Sequence, residues 1–212
     1  MEPQRKRPKP NKKNLVVRRL STYLRTLDHL EKKGVSVVSS SDLERVEGVS
    51  QSLVRRDLAE FGSFGVRGLG YNVSALREQI AEILGFHRKR SVILVGAKGF
   101  SSVLIHSESF KKRNLEIVRI FDSSPEHVGS SMEGIPVHDI AQLERELDGL
   151  HIDLAIVAVP PPEVQAIINR LGKLGVGGAL YFASRPVSVP ENMFVLNMDI
   201  TVELGVLTHH LA

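Results

Sequence analysis

Three groups of residues in the 212-residue sequence have types and spacing suited to chemistry. The first is Ser50-Gln51-Ser52-Leu53-Val54-Arg55-Arg56, continued by Arg67 in a glycine-punctuated stretch. At 100° per residue, Leu53, Val54, Leu58 and Phe61 share one helix face, and Ser52, Arg55, Arg56 and Ala59 the other. Small residues beside two arginines suit a helix that lies deep in a nucleic-acid groove. The second group is Gly96-Ala97-Lys98-Gly99-Phe100-Ser101, directly after the apolar run SVILV. A glycine-bearing turn between a strand and a helix is where backbone N–H groups meet phosphate. The third is a pair of strand ends, Asp122 and Pro160. Asp122 lies at a spacing from Gly96 where a carboxylate takes both ribose hydroxyls of an adenine dinucleotide and repels a 2′-phosphate, which favours NAD(H) over NADP(H).

The elements that position these groups follow from periodicity and caps. Residues 1–14 combine six Lys and Arg with three prolines and no apolar cluster, the composition of a disordered basic tail. Leu20, Tyr23, Leu24, Leu27 and Leu30 keep helical spacing over Leu15 to Lys33, and Gly34 ends that run. A short helix follows, with Ser41 and Glu44 at capping-box spacing and Gly48 as its stop. Ser50 then caps the basic helix. The four glycines between Gly62 and Gly70 predict a tight β-hairpin over Phe64 to Tyr71. Together these describe a winged helix-turn-helix over residues 15–85, closed by a helix capped at Ser74 and running to Leu84. An isolated Arg-Arg pair is ordinarily solvated surface; in this setting it faces a groove.

The linker-like GFHRKR (85–90) leads to a different rhythm. Strands are predicted over 91–95, 115–121, 152–159 and 178–182, with shorter ones at Pro136-Val137 and Val195-Leu196, and helices between them. This alternation predicts a doubly wound, Rossmann-like parallel sheet over residues 90–200. The fold class is therefore α/β, with an N-terminal winged helix-turn-helix ahead of the Rossmann-like sheet.

Charge separates the same two parts. Residues 1–90 contain 19 Lys and Arg against 10 Asp and Glu, and residues 91–212 contain 9 against 14. A polyanionic partner is expected for the first part only. The absence of cysteine removes disulfides, thiol catalysis and Cys-based metal sites. No apolar run reaches the ~18 residues of a membrane span, and no secretory signal is recognisable, so a cytoplasmic location is expected. The eight histidines are scattered and no hydrolase or metal-ligand motif occurs, so neither a catalytic residue nor a metal site is expected.

The segments RRLSTYLRTLDHL, SSSDLERVEGVSQSLVRRDLAEFGSFGVRGLGY, LVGAKGFSS, IFDSSPEHVG, VAVPPPEVQ, GALYFASRPVSVP and NMDITVEL carry a resemblance to the bacterial redox-sensing transcriptional repressors of the Rex family across nearly all of residues 15–212. The resemblance implies a homodimer that binds double-stranded operator DNA when NADH is scarce and releases it when NADH rises. It implies that 201–212 is a helix swapped onto the partner. Arg55 and Arg56 match the family's basic pair on the recognition helix, and Arg67 its wing residue. Arg25 matches an arginine that pairs, in one ligand state, with an aspartate matched here by Asp199.

The chain departs from the family pattern at Lys98 and Ser101, where glycines are usual, and at Ser107 and Ser184. Lys98 motivates an alternative: a DNA-binding chain blind to NADH, or answering another anionic nucleotide such as a CoA derivative. A small dehydrogenase with a basic appendage is disfavoured, because no acid–base residue or second catalytic domain is evident.

Overall fold

The structure, a computed structural model, describes residues 12–65, 68–96 and 101–211. It divides into two compact units between Arg88 and Lys89.

In the first unit, helix α1 (Lys12–Lys32) begins three residues before Leu15, so Lys12 to Asn14 of the expected tail are helical; residues 1–11 lie outside the described residues. Leu20, Tyr23, Leu24 and Leu27 form its fully buried stripe. They pack with Leu43 of α2 (Ser40–Glu47), Val54 and Leu58 of α3 (Gln51–Ala59), and Leu76 and Ile80 of α4 (Val73–Ile83). Two expected caps are displaced by two residues each. The capping box is Ser39 with Asp42, not Ser41 with Glu44: Ser39 is extended and exchanges both bonds with Asp42. Helix α4 is capped by Asn72, whose side chain accepts from the Ala75 N–H at 2.9 Å, not by Ser74. Gly48 ends α2 at φ 68°, the left-handed conformation that glycine adopts without strain.

The wing differs from the expected hairpin. Strand β2 (Tyr71–Asn72) pairs antiparallel with β1 (Val37–Val38), in register Val38 to Tyr71, rather than with a strand inside Phe64 to Tyr71. The intervening segment still folds back on itself, since a Cβ on Gly65 would lie 2.5 Å from the Gly70 carbonyl oxygen. Arg67 lies outside the described residues.

The second unit is built on one seven-stranded sheet. Its strands are β3 (Arg90–Val95), β4 (Leu115–Asp122), β5 (Ser131–Met132), β6 (Ile135–Asp139), β7 (Leu154–Val157), β8 (Gly178–Tyr181) and β9 (Phe194–Asn197), in the order β5-β6-β4-β3-β7-β8-β9. All neighbours are parallel except β5 with β6. The sheet is thus the expected doubly wound parallel one, with a short antiparallel edge strand added. Glu133 and Gly134, both at positive φ, make the two-residue turn that sends the chain back.

The connecting helices are α5 (Ser101–Ile105), α6 (Glu108–Lys112), α7 (Leu143–Leu147) and α8 (Pro161–Lys173), and α9 (Ile200–His209) closes the chain. The single helical stretch expected after residue 101 is broken at His106-Ser107, and the one expected over 140–147 opens with a 3-10 turn. One core lies between α7, α8 and the sheet face bearing Ile93, Val95, Phe121 and Val157; a smaller one on the opposite face gathers Val92, Leu94, Ile120 and Val137.

Candidate nucleic-acid interface and nucleotide site

Helix α3 presents the expected outward face. Ser50 caps it, accepting from the Leu53 N–H at 3.3 Å, and the hydroxyls of Ser50 and Ser52 lie 3.0 Å apart. Ser52, Arg55, Arg56 and Ala59 are exposed; Val54 and Leu58 are buried; Leu53 and Phe61 are half-buried. Arg55 donates to the Ser40 hydroxyl at 3.0 Å and to Gln51 Oε1 at 3.4 Å. Gln51 in turn donates to Glu44 Oε2 at 2.9 Å. These bonds tie the outward side chains of α3 to α2, so the two helices present one surface. A small-residue, doubly cationic helix face of this kind can enter a major groove, with Arg forks able to reach guanine edges or phosphates.

One residue of α3 was not singled out by its pattern. Asp57, only 1 % exposed, accepts both guanidinium bonds of Arg19 (Nε to Oδ2 at 2.5 Å, Nη2 to Oδ1 at 2.6 Å) and the Tyr23 hydroxyl at 2.9 Å. Burial, the Asp57 bond and the Asp57 charge together push the Tyr23 phenol well above its ordinary range. The signal was legible: Asp57 sits beside Leu58 and Val54 on the helix face that must be buried, where a carboxylate needs partners.

In the second unit, Gly96, Asp122 and Pro160 converge on the carboxyl rim of the sheet. The Gly96 N–H donates to the Phe121 carbonyl at 2.8 Å, and the Ala158 N–H to the Val95 carbonyl at 2.7 Å. Gly96 has φ 94°, and a Cβ there would lie 2.5 Å from the Ala158 oxygen. Glycine is therefore required by the close approach of the chain leaving β3 to the chain leaving β7. Asp122, 6 % exposed, accepts from the Ser124 N–H at 2.7 Å, and its Oδ2 lies 3.4 Å from His127 Nδ1. Pro160 precedes α8, whose first residues are Pro161 and Pro162. Ala97, Lys98, Gly99 and Phe100 lie outside the described residues; α5 begins at Ser101.

The strand order places β4 on one side of β3 and β7 on the other, which is the switch point where doubly wound sheets open a ligand crevice. A carboxylate ending the second strand and a glycine ending the first fit an adenine dinucleotide there. Among the described residues no group of His, Asp and Glu could hold a metal ion, and no helix is long and apolar enough to cross a membrane.

The proposed switch residues fall in different units. Arg25 is exposed on α1. Asp199 caps α9, its Oδ1 accepting from the Thr201 N–H at 3.0 Å and hydroxyl at 2.6 Å. That capping role is additional to the one inferred from sequence. Helix α9 exposes Ile200, Val202 (61 % exposed), Leu204, Val206 and Leu207, and Leu196 and Met198 just before it are exposed as well.

Comparison with known proteins agrees with both halves. Residues 14–59 match the family described as "Putative DNA-binding protein N-terminus", and residues 87–185 that described as "CoA binding domain". The redox-sensing transcriptional repressor Rex of Carboxydothermus hydrogenoformans is 38 % identical over 196 residues, covering 92 % of this chain and 94 % of its own length. The chain belongs to the Rex family. Rex 1 of Thermotoga maritima is also 38 % identical, over 202 residues covering 95 % and 94 % of the two chains. Among solved structures, the Rex-family repressor RSP in complex with NAD⁺ and operator DNA superimposes with a TM-score of 0.85 at 30 % identity, covering 93 % of this chain and 91 % of that one. RSP in complex with NADH gives 0.84 at 29 % identity, covering 93 % and 92 %. The winged helix-turn-helix and Rossmann-like organisation is thus that of Rex repressors along nearly the full chain.

Proposed function

We propose that this Rex-family chain is a transcriptional repressor that holds operator DNA when NADH is scarce and lets go as NADH replaces NAD⁺. The observation that carries the reading is the joining, in one chain, of a helix α3 that turns Arg55 and Arg56 outward to a sheet whose switch point brings Gly96, Asp122 and Pro160 together. Its likeness to RSP, solved both with NAD⁺ and operator DNA and with NADH, supports the same pair of ligands here.

Ser50, Gln51, Ser52, Arg55 and Arg56, with Arg67 of the wing, are the DNA-contacting set. Gly96 to Ser101, Asp122 and Pro160 are the nucleotide set. Bound NAD(H) supplies two redox states that the protein distinguishes; no step of catalysis is asked of it, so the chain acts as a regulator rather than an enzyme. The functional domains are residues 15–85 and 90–200, and the site of action is the cytoplasm.

The active form is a homodimer joined through 201–212. A helix that exposes Ile200, Val202, Leu204, Val206 and Leu207 together is stable in water only when covered, and a second copy of the same nucleotide domain is the partner this family offers. Two copies present two α3 helices, so the spacing between them can be set by ligand state and read out by a two-fold operator. Arg25, exposed on α1, and the half-buried Asp199 are the candidate pair made in one state and broken in the other.

The test titrates NADH and NAD⁺ into a chain–operator complex followed by fluorescence anisotropy. NADH is expected to release the DNA at concentrations where NAD⁺ does not. Unchanged DNA affinity at saturating NADH rejects the sensing half of the reading, and calorimetry with CoA as the contrasting ligand then identifies whether another nucleotide occupies the crevice.

A further inference from the structure

The buried carboxylate of α3 has a role that the DNA-binding reading alone does not assign. We infer that Asp57 is a positioning residue for sequence discrimination: clamped by Arg19 and Tyr23, it fixes the rotation of the recognition helix about its own axis and thereby the aim of Arg55 and Arg56. The inference rests on the reading of α3 as the DNA-contacting helix.

Asp57 lies about 200° around α3 from Arg55, nearly diametrically opposite. Apolar contacts from Val54 and Leu58 hold α3 against the core, but such contacts are non-directional and permit small rotations. The three bonds to Asp57 are directional. They arrive on both carboxylate oxygens from two residues one turn apart on α1, so no rotation of α3 keeps all three.

The same face of α1 continues to Thr26, whose hydroxyl bonds Glu47, the last residue of α2. Arg19, Tyr23 and Thr26 therefore form one polar line along an otherwise apolar stripe, and it pins both helices of the helix-turn-helix. A rotation of α3 by roughly 15°, at a side-chain radius of about 6 Å, would displace the outer groups by about 1.5 Å. That is larger than the tolerance of a bidentate bond to a base edge, whereas a phosphate can be met by a swing of the flexible Arg stem. Loss of the clamp should therefore reduce base discrimination more than general affinity for DNA.

The experiment uses the full chain. A duplex is enriched from a random pool by the wild-type protein, and affinities for that duplex and a scrambled one are compared for wild type, Asp57→Asn and Tyr23→Phe. Circular dichroism at the assay temperature reports folding. Asp57→Asn is expected to lower the enriched-to-scrambled affinity ratio about tenfold, while affinity for the scrambled duplex and its salt slope are kept. Tyr23→Phe, which removes one bond and leaves the Arg19 fork, should lower the ratio by about threefold.

An unchanged ratio in folded Asp57→Asn overturns the inference. So does a parallel loss on both duplexes, which marks a purely structural role. If Asp57→Asn does not fold, Tyr23→Phe decides in the same terms: a lowered ratio supports the inference and an unchanged one overturns it. Failure of the wild-type chain to enrich any duplex overturns the DNA reading itself, and the two failures are distinguished by that first step.

Discussion

Arg55 and Arg56 differ in what they hold before DNA arrives. Arg55 donates to Ser40 and Gln51, so its fork is already aligned along the α2–α3 surface. Arg56 is exposed on the same helix. Replacing either by Ala should weaken operator binding by about 1–3 kcal/mol if it reads a base, with discrimination lost at that position; a loss equal on all duplexes identifies a phosphate contact instead. Anisotropy titrations with single-base variants of the operator separate the two. In the other unit, Gly96→Ala sets a Cβ against the Ala158 carbonyl at a backbone angle that L residues rarely adopt. A loss of at least about 2 kcal/mol in denaturant unfolding is expected, from strain where the chain leaves β3 beside β7. The glycine is thus demanded by the sheet before any phosphate is considered, which explains how it persists in a loop where Lys98 and Ser101 stand at usual glycine positions.

At the scale of elements, the two units should respond to opposite ends of the pH scale. Glu144 is held at about 2 by its paired bonds to Arg170, at 2.6 Å each, which join α7 to α8. Its folded value lies below its unfolded one, so this contribution is present above about pH 4.5 and fades as pH falls towards 2. Half-exposed as Glu144 is, solvent screening keeps the effect modest. Tyr23 is the reverse case: its folded value is raised, so its contribution is complete below pH 10 and is lost as pH rises beyond that. Thermal unfolding against pH should show an alkaline decline that Tyr23→Phe flattens, and an acid decline that Glu144→Gln reduces.

Element identity was largely legible in the sequence, because caps and apolar periodicity act locally: Ser50, Gly48 and the buried stripe of α1 lie where pattern alone places them. The misplacements have local causes too. Ser39 and Ser41 both stand three residues before an acid, and only the extended backbone at Ser39 selects between them. The edge strand β5 is too short to have a periodicity, and its turn uses Glu133 at positive φ, which no turn preference anticipates. Asp57 stands on the buried face by position alone, but its partners, 34 and 38 residues away, cannot be read from a local pattern.

For the whole molecule, basic residues concentrate before residue 91 and acidic ones after it. DNA affinity should accordingly fall steeply with added salt, whereas self-association through the apolar α9 should not. A chain ended after Asp199 is expected to sediment as a monomer and to bind operator at least about tenfold more weakly, since each copy then engages its half-site alone. One irregular stretch also shapes the molecule. Between β8 and β9 the chain runs without regular structure from Phe182 to Met193, yet Gln165 bonds both the N–H and the carbonyl of Ser188, Asn192 bonds the Gly172 carbonyl, and Pro190 packs where a Gly172 side chain would stand. Backbone fastened in this way has already lost its conformational freedom during folding. A ligand bound at the carboxyl rim of the sheet, where this stretch leaves β8, would meet backbone that needs no further ordering, so little entropy would be lost there on binding.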